Sequence, residues 1–138
     1  MAYELAKVVS SFMDAKDWKH TLTGENQDVI LTGLGGEKNI RGLELGIFFD
    51  PERNVHILSR DYVHVPDDKV DAMYKVVNEL NRTYRWAKFS LDDEGDIVLE
   101  ADAVLDLDTC GDEIMEILFR LTQIADEAYP VVMRGLYA

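Results

Sequence analysis

Two pairs of alternating segments, each pair joined by a short polar turn, limit this chain more than anything else in its sequence. Over residues 41–49, Leu43, Leu45, Ile47 and Phe49 alternate with Gly42, Glu44, Gly46 and Phe48. Over residues 96–105, Ile97, Leu99, Ala101, Ala103 and Leu105 alternate with Val98, Glu100, Asp102 and Val104. A period of two sends successive side chains to opposite faces of a strand. Each stretch has a partner across a turn. Residues 55–64 follow the turn-forming run Asp50-Pro51-Glu52-Arg53-Asn54, and residues 86–91 precede Asp92-Asp93-Glu94-Gly95. Segments joined so tightly pair as antiparallel hairpins.

The rest of the chain supplies helices and one more strand. Residues 3–16 read as an amphipathic helix, with Leu5, Val8, Val9 and Phe12 at three- and four-residue spacing. Residues 28–34 read as a strand ending in the turn Gly35-Gly36-Glu37-Lys38-Asn39. Pro66-Asp67-Asp68 opens a second helix, whose stripe is Val70, Met73, Tyr74, Val77, Leu80 and Tyr84. A third helix runs over 111–129 on the stripe Ile114, Leu118, Leu121, Ala125 and Ala128. Pro130 lacks a backbone donor and is expected to kink or end it, with a short helical turn following through Leu136. The order is α-β-β-β-α-β-β-α. The expectation is one α+β domain over 1–138, with an antiparallel sheet of about five strands and three helices in two layers.

Charge narrows the function. The chain has 138 residues, 27 acids against 14 Lys and Arg, and a net charge of −13, yet 47% of it is hydrophobic. That hydrophobic content belongs to a folded chain. The acidity speaks against nucleic acid, which needs a basic footprint, and against anionic membrane surfaces. The single cysteine, Cys110, leaves no partner for an internal disulfide. No basic-then-apolar leader opens the sequence, and no apolar run exceeds five residues where a membrane span needs about 20. A cytoplasmic location is the expectation.

Each candidate for chemistry has a plainer explanation. The run Gly33-Leu34-Gly35-Gly36-Glu37-Lys38 lacks P-loop spacing and leads into a strand, where a phosphate cradle leads into a helix. His56 and His64 lie eight residues apart on one strand, roughly 26 Å, too far to share a metal ion. Asp92 to Asp96 has its glycine too early for a calcium loop and is flanked by strands. Cys110 sits at a helix start, but Asp106, Asp108, Asp112 and Glu113 around it disfavour a thiolate. The stretch from Arg82 to Phe89 is the one basic aromatic cluster, and it reads as a helix end followed by a strand. No catalytic residue, cofactor site or metal site is assigned. Acidic pairs are too numerous in this chain to single one out, so a small enzyme using carboxylates, with or without a divalent cation, stands as the alternative.

Strand parity carries the positive expectation. Phe48 opposes the apolar row of its own strand. Leu58 and Tyr62 share a parity with His56, Arg60 and His64, and Trp86 lies opposite Ala87 and Phe89 with Lys88 and Ser90. Placed on one side, Phe48, Leu58, Tyr62 and Trp86 form a mixed second face of the kind that contacts a protein partner or a second copy.

The later segments resemble the YbjN family, described as regulators of bacterial sensory transduction. The likeness rests on Val77-Asn78-Glu79-Leu80-Asn81, Trp86-Ala87-Lys88-Phe89-Ser90 and Gly95-Asp96-Ile97-Val98-Leu99-Glu100-Ala101-Asp102, ahead of a long apolar helix. The resemblance covers roughly residues 40 to 136. It implies a fold like that of type III secretion chaperones, which are usually dimeric and bind extended or amphipathic client segments. It brings no catalytic residues. The expected function is a chaperone-like, non-enzymatic protein-binding or regulatory module, homodimeric, using a sheet face or edge.

The charge itself is concentrated. Between Asp92 and Glu113 stand ten acids and no Lys or Arg. That segment is expected to repel its own copies, to attract cationic segments and to stay out of a dimer contact.

Overall fold

The computed structural model describes residues 4–138. Helix α1 (Glu4–Ala15) is followed by strands β1 (Thr21–Thr23), β2 (Val29–Gly35), β3 (Gly42–Phe49) and β4 (Asn54–His64). A single 3-10 turn, Asp67–Lys69, leads into helix α2 (Val70–Thr83). Then come β5 (Lys88–Leu91), β6 (Asp96–Val104) and helix α3 (Cys110–Leu136). The six strands form one antiparallel sheet in the order β1-β2-β3-β4-β6-β5.

The alternation in the sequence explains the layering. Leu43, Leu45, Ile47 and Phe49 of β3 and Ile97 and Leu99 of β6 are buried on one face, with Ile30, Val55, Ile57 and Phe89 beside them. The helices close over that face. Leu5, Val9 and Met13 of α1, Met73 and Leu80 of α2, and Ile114, Leu118 and Leu121 of α3 complete the core. Helix α3 packs on β2, β3 and β6, α1 on β2, and α2 on β5, with both shorter helices also against α3. All three helices therefore lie on one side of the sheet.

Two hairpin turns are built by an aspartate at their first position. Asp50 accepts the amides of Glu52 and Asn54, and Asp92 accepts those of Glu94 and Asp96. This is the local bonding that makes Asp a turn residue.

Four expectations need correction. The sheet has six strands, because Thr21–Thr23 adds a short edge to β2. Helix α3 neither ends nor breaks at Pro130 but continues to Leu136. Proline removes the donor for the carbonyl four residues back, Asp126, and that carbonyl instead accepts the Asn39 side chain at 2.8 Å. Tyr74 is 55% exposed, so the buried stripe of α2 is Met73, Val77 and Leu80. Strand β5 begins at Lys88, because Trp86 has φ of 77° and leaves the extended conformation. Tyr3, the expected start of α1, lies outside the described residues.

Candidate functional site

Among the described residues, no helix or strand covers the side of the sheet away from the helices. Register places Leu31, Gly46, Leu58, Glu100 and Lys88 in one row across it, and Val29, Phe48, His56 and Asp102 in the next. The β2–β3–β4 half of this face carries Leu31, Phe48 and Leu58, with Glu44 and Arg60 beside them. Leu31 is 47% exposed and Phe48 is half-buried. The Phe48 ring lies over Gly46, where an added Cβ would stand 2.9 Å from its Cε1. Glycine thus leaves the space the ring fills, and Phe48 covers a backbone that would otherwise face water. Leu31, Gly33, Glu44, Gly46, Phe48, Leu58, Arg60 and Asp61 line a shallow open depression here.

The β6 half is mixed, with Glu100 and Asp102 beside Val104, which is 77% exposed. His56 Nε2 meets Glu100 Oε1 at 2.8 Å, Lys88 Nζ is 3.8 Å from the other Glu100 oxygen, and Asp102 is exposed. The ring of Phe48 is 6.3 Å from that of His56, so the two halves adjoin. At the far end of the strand, His64 pairs with Asp96 at 2.8 Å. The two histidines thus serve separate carboxylates. Among the described residues no group of three or more His, Cys, Asp or Glu is arranged to hold a metal ion.

Of the four residues expected to share this face, Phe48 and Leu58 do and the other two do not. The β4–β6 register shifts between Ser59 and Val63, and this irregularity breaks the alternation that put Tyr62 on the open side. Tyr62 turns toward the helices. Its hydroxyl donates to the Ala125 carbonyl at 2.6 Å, and its ring packs against Phe89 and Tyr129. Burial, with Tyr129, Tyr84 and Asp126 nearby, raises its pKa well above the ordinary tyrosine value. Trp86 stands off the sheet against α3, where the Arg120 guanidinium lies 4.6 Å from its ring centre.

The glycine-rich turn after β2 does cradle an anion, and the anion belongs to the chain. The amides of Lys38, Asn39 and Ile40 donate to the Asp126 carboxylate at 3.0, 2.7 and 2.8 Å. Consecutive amides converging on one acceptor form a backbone nest. Gly36 is required in it, since a Cβ there would collide with the Ile40 carbonyl oxygen. Sequence reasoning found the glycines but had no signal for Asp126, 90 residues further along the chain. Cys110 is buried, its thiol directed at the Leu107 carbonyl, and burial pushes its pKa up.

The two sheet edges are treated differently. Edge strand β5 is closed by Asn81 of α2, whose side chain accepts the Phe89 amide at 2.7 Å and donates to the Phe89 carbonyl at 2.9 Å. At the other edge β1 is only three residues long. A side-chain clamp on one edge and a very short strand at the other both limit unplanned strand pairing.

Residues 5–133 match the family described as "YbjN: Putative bacterial sensory transduction regulator". The crystal structure of YbjN from E. coli, described as "a putative transcription regulator", superposes with a TM-score of 0.65 at 9% identity, covering 90% of each chain. The Yersinia pestis type III secretion chaperone SycH, solved in complex with a stable fragment of YscM2, matches with a TM-score of 0.55 at 14% identity, over 92% of this chain and 98% of that one. A chain of the ExsC–ExsE complex matches with a TM-score of 0.51 at 12% identity, over 92% and 94%. At these identities the likeness is one of fold. The search of curated proteins returned no match.

Proposed function

The chain belongs to the YbjN family, and on that premise we propose that it is a regulatory, chaperone-like module that binds a segment of a partner protein on its bare sheet face. The observation that carries this reading is the uncovered face itself, with Leu31, Phe48 and Leu58 on one half and Glu100 and Asp102 on the other. Such a face suits a segment that is apolar along one side and cationic beside it. SycH and the ExsC–ExsE complex were both solved with protein partners, which supports a protein ligand here. The protein acts by binding, without a catalytic step, in the cytoplasm and as a homodimer.

Amide hydrogen exchange on the tagged chain with a co-purified partner tests the face. Protection is expected across β2, β3 and β4 around Leu31, Phe48 and Leu58. Phe48→Asp should lose the partner while keeping the wild-type circular dichroism spectrum. Protection confined to the helix layer, or undiminished binding by Phe48→Asp, overturns the assignment. Light scattering on the eluted chain tests the dimer, which a mass of 15.7 kDa alone would refute.

A further inference from the structure

Trp86 is the residue whose placement the sheet face does not explain. It is 63% exposed, and its φ of 77° is one that large side chains rarely adopt. Backbone strain of this kind persists only where surrounding structure holds it, and it clusters at ligand-binding positions. What holds Trp86 is Arg120 of α3, stacked 4.6 Å from the ring centre. Arg120 is itself oriented by Glu116, whose carboxylate accepts from its Nε at 2.8 Å. That contact is made at Nε. Arg82 and Arg85 precede Trp86 in sequence, both exposed, and among the described residues neither has an acid within 4 Å. Residues 82–91 contain no Asp or Glu, in a chain of net charge −13.

The geometry points to a second binding surface, distinct from the bare sheet face, on which Trp86 and Arg120 receive an acidic segment of a partner protein. A planar guanidinium fixed along one edge is prepared for a carboxylate along the other. The exposed indole beside it offers an apolar anchor, and paired Trp and Arg are the residues that dominate interface energetics. A long nucleic-acid strand carries a phosphate at every step and would meet the acidic stretch Asp92–Glu113 as well as this island. A segment bearing one or two carboxylates meets less of that stretch, and Arg82, Arg85 and Arg120, against the one acid paired there, Glu116, favour it.

A fluorescent short peptide carrying two glutamates beside a tyrosine in an otherwise neutral sequence serves as the probe, with oligothymidine as the competing anion. The full-length chain should bind the peptide at low salt and release it as salt rises. Arg120→Ala and Trp86→Gly should each weaken binding by about tenfold, the loss expected on truncating an anchor of this type. Glycine adopts a φ of 77° without strain, so Trp86→Gly removes the indole and keeps the fold, which circular dichroism verifies. Phe48→Asp, on the sheet face, should bind as the wild type does. Absence of binding by the wild-type chain, equal binding by Trp86→Gly and Arg120→Ala, loss of binding by Phe48→Asp, or preference for oligothymidine each overturns the proposal.

Discussion

Asn81 holds Phe89 by both of its backbone polar groups, accepting from the amide and donating to the carbonyl. These two groups face outward from the last strand of the sheet, where no further strand of the described residues meets them. The side chain therefore does for β5 what a neighbouring strand would do. Asn81→Leu should lower stability by about 1–3 kcal/mol, the range for leaving paired groups unsatisfied. It should also raise the tendency to associate through the freed edge. Urea unfolding gives the first quantity, and light scattering as a function of concentration gives the second.

How much of this was legible in the sequence follows from what each signal measures. Alternation located β3 and β6, because each has one face on the core and period two records that directly, and the turn after Phe49 located β4 as the partner of β3. Strand β1 has three residues and no alternation to read. The parity argument placed Phe48 and Leu58 on the open face, where they lie. It failed for Tyr62 because the register shift between Ser59 and Val63 changes which side the chain presents, and a shift of this kind leaves no mark in composition. It failed for Trp86 because parity holds only in extended backbone, which a φ of 77° interrupts. Asn81 stood in the quoted stretch Val77–Asn81, but its partner Phe89 is set by how α2 packs on β5. The nest around Asp126 was invisible for the same reason, since it joins residues far apart in the chain.

Asp126 should govern part of the acid stability. Removal from water alone would raise its pKa, but the amides of Asn39, Ile40, Lys38 and Glu37 outweigh that and hold it below the ordinary 3.8. A carboxyl whose folded pKa is depressed stabilises the fold above its unfolded value, and that contribution is lost as pH falls through the folded value. The urea midpoint of the wild-type chain should thus decline as pH drops below about 4. In Asp126→Asn the midpoint should be lower at neutral pH and the decline shallower. Asp50 is also depressed, by the Asn54 and Glu52 amides and the Asn54 side chain, so Asp50→Asn should remove a separate part of the same slope. Gly36→Ala attacks the nest sterically and should cost about 1–3 kcal/mol, the usual range for overpacking.

Tyr62 predicts the opposite limb. Its folded pKa is raised by burial, so the stability it contributes is present below the unfolded value of 10 and is lost as pH rises toward the folded one. In an alkaline titration followed by tyrosinate absorbance, Tyr62 should resist ionisation until the chain unfolds. Tyr62→Phe removes the hydrogen bond to the Ala125 carbonyl and should cost about 1 kcal/mol. Because Tyr62 faces the helices, the same variant should leave partner binding on the sheet face unchanged. A loss of binding without loss of stability would place Tyr62 in the interface.

Asn39 and Pro130 form a pair that a double-mutant cycle can resolve. Proline at 130 denies the Asp126 carbonyl its helical donor, and the Asn39 side chain supplies one at 2.8 Å. The helix thereby continues to Leu136 through a residue that ordinarily stops it. Asn39→Ala in the wild-type chain leaves that carbonyl unserved and should cost about 1–2 kcal/mol. In a Pro130→Ala background the residue at 130 has an amide of its own, the carbonyl regains an intrahelical donor, and Asn39→Ala should cost measurably less. A coupling of about 0.5 kcal/mol or more between the two sites is the expected result for groups sharing one acceptor. Strict additivity would mean that Asn39 is held for the nest alone, and that α3 tolerates Pro130 for some other reason.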